Sequence, residues 1–93
     1  MKIEVDVTGI PILYKVLNKQ KRLNIEVNGG TLRDVMDALV RRYGTPLRKA
    51  LLDEKGDIDM EIRVVLNSGP YLGENRMDVP LSDGDLVAFR GAS

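Results

Sequence analysis

Apolar and polar residues alternate through "KIEVDV", putting Ile3, Val5 and Val7 on one face and Lys2, Glu4 and Asp6 on the other. A period of two belongs to a strand with one buried face, so a first strand is predicted here. Gly9 and Pro11 in "TGIPIL" interrupt the pattern. It resumes in "LNIEVN", with Leu23, Ile25 and Val27 turned inward. Strands this close in sequence predict a hairpin with a long, basic loop. The period then changes. In "NGGTLRDVMDALVRRYG", Leu32, Val35, Met36, Leu39, Val40 and Tyr43 fall on one helical face. Arg33, Asp34, Asp37, Arg41 and Arg42 fall on the other. Thr31 stands at the N-cap position, where its side-chain oxygen accepts from an orphan N–H. Asp34 lies three residues on, where a carboxylate suits the positive end of the helix dipole. Gly44 is a natural residue to follow the last turn.

A second, short helix is predicted in "TPLRKALLDEKGD", with Thr45 as its cap, Pro46 at its first position and its end near Leu52. "EIRVVLN" reads as a third strand, and its Val-Val-Leu run predicts a central position buried on both faces. Residues 68–79 are irregular, punctuated by Gly69-Pro70 and Gly73, with room for a brief edge strand near Tyr71-Leu72. "SDGD" supplies turn chemistry before the final strand "LVAFR". The apolar stripe of the main helix has only the sheet to bury against, so the helix must lie across one face of it. That order predicts an α+β, ubiquitin-like β-grasp in one domain over residues 1–93, with a mixed sheet of four to five strands. In such a fold the last strand is central and parallel to the first.

Composition then narrows the function. Ninety-three residues make one domain with a single modest core. The chain has no cysteine and no histidine. That excludes a disulfide framework, a thiolate–metal site and a cysteine nucleophile, and removes the commonest general base. No apolar run approaches the roughly 20 residues of a membrane span, and the opening strand pattern is not that of a signal peptide. A soluble, cytoplasmic protein is expected. The net charge is zero, but residues 1–49 carry 10 Lys/Arg against 5 Asp/Glu, and residues 50–93 carry 4 against 9. Such polarity steers a charged protein partner, and equally describes solvated faces that folding intermixes.

The basic stretch "YKVLNKQKR" (residues 14–22) has one aromatic beside it, in a chain with one Phe and three Tyr, too few for a nucleic-acid stacking platform. The acids Asp53, Glu54, Asp57, Asp59 and Glu61 lack the Gly and Glu positions of an EF-hand loop and read as a solvated turn. Asp83 and Asp85 read as turn residues. No catalytic residue, metal site or cofactor is expected.

The residues also resemble a known family. "NGGTLRDVMDALVRRYG" resembles the capped helix of the MoaD/ThiS sulfur carriers, and "LRKALLDEKGDI" is similar to the segment that follows it in MoaD-type members. "IRVVLN" and "VPLSDGDLVAF" resemble the third strand and the closing turn-and-strand signature, so the likeness runs in order over nearly the whole chain. It implies a carrier rather than an enzyme. In that family a C-terminal Gly-Gly carboxylate is adenylated by a ubiquitin-activating-type enzyme and converted to a thiocarboxylate. The sulfur is then delivered inside a partner, either the large subunit of molybdopterin synthase or the thiazole synthase of thiamine biosynthesis. Glycines suit that task because a tail without Cβ atoms threads a narrow channel.

The sequence departs from the family at its end. Only Arg90, Gly91, Ala92 and Ser93 follow Phe89, and Ala92 and Ser93 carry side chains where the family has none. A tail about three residues short loses roughly 10 Å of reach. The expectation is a non-carrier binding module. The alternative is a genuine sulfur carrier, like the small subunit of molybdopterin synthase, with an unusual or truncated terminus. On that alternative Gly91, Ala92 and Ser93 form the working tail. The partner surface is expected beside the last strand, among Leu86, Val87, Ala88, Phe89 and Arg90. The strand period lets only one of the pairs Leu86/Ala88 and Val87/Phe89 point there, with Arg90 at the rim.

Overall fold

A computed structural model describes residues 1–73 and 76–91. Strand β1 (Lys2–Gly9) and strand β2 (Arg22–Glu26) pair antiparallel, with Ile3 opposite Ile25 and Val5 opposite Leu23. The connection between them is not a simple loop. Helix α1 (Pro11–Val16) occupies it, with Pro11 at the start and Leu13 and Leu17 buried. Tyr14 therefore lies on a helix. A six-residue helix is too short to show a period, which is why the pattern missed it.

Helix α2 (Leu32–Tyr43) forms as its stripe predicts and buries Leu32, Val35, Met36 and Leu39. Its capping box closes at Thr31, and the stronger arm is the Asp34 carboxylate. That group accepts from the Gly30 N–H at 2.9 Å, the Thr31 N–H at 3.0 Å and the Thr31 hydroxyl at 3.0 Å. Helix α3 (Thr45–Leu51) begins one residue earlier than the sequence suggests. Gly44, at a φ of +76°, is its cap, and Thr45 is its first helical residue. Strand β3 (Ile62–Leu66) and strand β4 (Leu86–Gly91) complete one mixed sheet in the order β2-β1-β4-β3. Strand β4 runs parallel to β1 and antiparallel to β3.

The predicted fold stands with two corrections. Strand β3 is an edge strand and not a central one. Its outward Val65 is nevertheless 7% exposed. Part of the cover comes from a lone bridge to Tyr71, reinforced by the Leu72 N–H donating to Val64 O at 2.9 Å. That bridge stands where a fifth strand was expected. A 3₁₀ turn (Arg76–Asp78) buries Met77 and is held by Arg76. The Arg76 guanidinium donates to the carbonyls of Ile58, Asp59 and Ile62, tying the turn to the entry of β3. Ile3, Val5, Val7, Leu23, Ile25, Ile62, Val64, Val87 and Phe89 meet α2 and α3 in one core on one side of the sheet.

Candidate partner-docking surface

Because helices cover only one face of the sheet, alternation decides what the other face shows. On β4, Val87 is 1% and Phe89 0% exposed, and both belong to the core. Leu86, Ala88 and Arg90 therefore occupy the uncovered face. The five residues expected at a partner surface thus divide, two to the core and three to the face. Neighbouring strands add Arg63 and Val65 from β3 and Glu4 and Asp6 from β1. Leu86 lies beside Glu4, Ala88 lies between Asp6 and Val65, and Arg90 lies between Gly9 and Arg63.

The middle of this face is a shallow apolar strip. Ala88 and Val65 are buried, Leu86 is half-buried, and Tyr71 is 55% exposed beside them. The charges are zoned around it. On the β1–β2 side the Arg22 guanidinium contacts Glu4 at 3.4 Å and Asp6 at 3.1 Å. Asp6 sits where the β1–β4 register shifts, and its Oδ1 accepts the Thr8 N–H at 2.8 Å. Burial pushes the Asp6 carboxyl upward, but the Thr8 hydrogen bonds and the Arg22 charge outweigh it and hold its pKa below the ordinary carboxylate range. On the β3–β4 side the charges are basic. Arg63 and Arg90 are both exposed, and the Arg63 guanidinium lies 5.1 Å from the centre of the Tyr71 ring.

The entry to β4 is fixed by the "SDGD" turn. Asp83 accepts the Lys2 N–H at 2.6 Å, and Asp85 accepts the Ser82 N–H at 2.8 Å and the Asn67 side-chain amide at 3.0 Å. Asn67 in turn accepts the Leu86 N–H at 2.8 Å. Both carboxylates are turn residues. At the other end, Gly91 pairs with Ile62 beside an open cleft of about 610 Å³, floored by Ile10, Pro11, Ala50 and Ile62 and edged by Asp59 and Glu61. Since β4 is central, whatever follows Gly91 leaves from the middle of one end of the sheet. Ala92 and Ser93 lie outside the described residues.

The other candidates are accounted for locally. Asp53 accepts from the backbone N–H groups of Lys55 and Asp57, and Asp59 from that of Glu61. Among the described residues no group of three or more His, Cys, Asp or Glu could hold a metal ion, and no helix is long and apolar enough to cross a membrane. Lys15, Lys19 and Lys21 are exposed around the end of α1. Sequence reasoning missed Arg63, Val65 and Tyr71 as parts of the face. The period of β3 does contain the signal for the first two, but only once the neighbouring strand is known.

No protein-family model and no curated protein matches the sequence. Solved structures do match. Small archaeal modifier protein 1 of Haloferax volcanii is 20% identical and superposes with a TM-score of 0.79, over 99% of this chain and 98% of that one. CysO, in its complex with BexX from Amycolatopsis orientalis, is 22% identical with a TM-score of 0.76, over 98% and 96%. A candidate molybdopterin converting factor subunit 1 from Pyrococcus furiosus is 20% identical with a TM-score of 0.69, over 100% and 99%. The chain has the ubiquitin-like β-grasp fold of these small proteins, from its first strand to its last.

Proposed function

We propose that this protein acts by protein–protein contact, as a ubiquitin-like module of the MoaD/ThiS type with no catalytic residue of its own. The uncovered face of its sheet is the docking surface. The observation that carries this reading is the apolar strip of Leu86, Ala88 and Val65 with exposed Tyr71, on the one face of the sheet that no helix covers. An aromatic beside a small apolar floor, ringed by charge, suits the centre of a protein interface. The fold neighbours that support it include a CysO structure determined in complex with another protein. The contact is assigned to the cytoplasm.

The test places a photoreactive amino acid at Leu86, and in a control at Arg41 on the exposed side of α2, in the native host. The expected result is a discrete protein adduct from position 86 and none from position 41. Equal adducts from both, or none from 86, would reject the reading.

A second reading is favoured by the exit of the chain from the central strand. On it, the protein is a sulfur carrier whose C-terminal carboxylate is adenylated by a partner enzyme and loaded with sulfur for a molybdopterin-synthase-type large subunit. The intact mass of the protein from its native host separates the two. Sulfur in place of a terminal oxygen, or a longer tail ending in Gly-Gly, establishes the carrier. A homogeneous, unmodified chain ending at Ser93 leaves the binding module.

A further inference from the structure

The register of the sheet puts Arg63 of β3 directly opposite Arg90 of β4, on the same uncovered face. Like charges directly opposite on neighbouring strands repel and destabilise the pair. Among the described residues, neither arginine faces a carboxylate in the register. On its other side Arg90 faces Gly9, which has no side chain, and Gly9 approaches so closely that a Cβ there would lie 3.4 Å from the Arg90 Cα. One pair further along β1, Asp6 is engaged by Arg22 and Thr8. Glu61, diagonal to Arg90 at the start of β3, forms no ion pair among the described residues, and neither arginine forms one there. The Arg63 guanidinium lies over the Tyr71 ring, while the Arg90 side chain starts out across Gly9, its Cγ 3.5 Å from where a Gly9 Cβ would stand.

Resting on the docking reading above, we infer that the Arg63–Arg90 pair is the anchoring point for a carboxylate side chain of the protein partner. A partner carboxylate brought to this end of the face draws charge-assisted hydrogen bonds from the guanidinium groups and offsets the repulsion of the two charges. Exposed Tyr71 and half-buried Leu86 then supply the apolar surface on which an apolar neighbour of that acid rests. The partner segment is thus acidic and apolar, and its acid points toward the end of β4. The opposite half of the face sets two carboxylates, Glu4 and Asp6, against the single Arg22, and so carries net negative charge.

The experiment is an NMR titration of the full chain with an acetylated, amidated tetraglutamate peptide, beside tetralysine and an oligothymidylate of matched charge. The tetraglutamate peptide is expected to shift the Arg63 and Arg90 side-chain Nε–H signals and the Val65, Tyr71 and Ala88 amides in a saturable way. Arg63→Gln and Arg90→Gln are each expected to weaken that binding about fivefold or more, as loss of a charged hydrogen bond does. Arg90→Gln should also raise the thermal midpoint at low salt, because it removes the repulsion. Shifts confined to Lys15–Arg22, binding unchanged in both variants, or tighter binding of oligothymidylate at the same arginines would overturn the inference. The crosslinking test keeps the two claims apart. Adducts from position 86 that persist undiminished in the Arg63→Gln/Arg90→Gln chain overturn this inference and leave the docking surface standing. No adducts from position 86 in the otherwise native chain overturn the docking surface itself.

Discussion

Single residues in this domain act mostly on the backbone. Gly29 has a φ of +129°, and a Cβ built on it would collide with the Asp34 carboxylate that caps α2. Gly29→Ala therefore strains the backbone and displaces the cap together, and should cost about 1–3 kcal/mol in urea unfolding. Arg76 is comparable. Its guanidinium donates to three carbonyls, of which Asp59 O also accepts the Ile62 N–H, so Arg76→Met removes three hydrogen bonds and should cost about 1–3 kcal/mol, read as a lower denaturant midpoint at constant slope. Asp6 gives a pH signature. Its folded pKa is lowered from the ordinary carboxylate value, so its contribution is complete above the unfolded value and is lost as pH falls through the lower folded one. Acid titration of stability should show less loss below about pH 4 in Asp6→Asn than in the native chain, from a lower starting stability. Of these three sites, sequence showed only the Thr31–Asp34 cap. Caps follow a fixed spacing, whereas Arg76 binds carbonyls 14 to 18 residues away and leaves no pattern.

At the level of elements, strand β4 divides its side chains between the core and the uncovered face by alternation. Phe89 is fully buried and Leu86 half-buried on the opposite face. Phe89→Ala should cost about 3–5 kcal/mol. Leu86→Ala should cost less than about 1 kcal/mol, since a half-buried side chain on the uncovered face loses less contact. Both are checked by urea melts. A similar loss at both positions would mean that the two faces are equally packed. The main helix, the helix α3 and all four strands were readable in sequence, from their periods and from the caps and turns that bound them. The short helix α1 was not, since Leu13 and Leu17 alone do not distinguish one buried turn from an apolar loop. Strand β3 misled in another way. Val64-Val65-Leu66 reads as buried on both faces, and Val65 is indeed buried, but at a sheet edge closed in part by the bridge to Tyr71.

For the molecule as a whole, the first and last strands share the centre of the sheet. Strand β4 pairs with β1 on one side and β3 on the other, so the sheet closes only when the end of the chain returns to its beginning. A chain stopped after Asp85 should not fold, losing both central ladders and Phe89 together. Collapse of amide dispersion in its NMR spectrum would show this, and a dispersed spectrum would reject the topology. The same return assembles the uncovered face, since Arg63 and Arg90 become neighbours only through the β3–β4 register. The sequence by itself determined the periods: which residues of β1, β2 and α2 face inward, where α2 begins, and hence a helix lying on a mixed sheet with its last strand central. Those follow from local sterics and the need to bury apolar stripes. Tertiary structure alone decided the edge position of β3, which pair of β4 faces the core, the partners of Asp6 and Arg76, and the pairing of two arginines. These depend on contacts between distant segments, and no local pattern encodes which strand a given strand will meet.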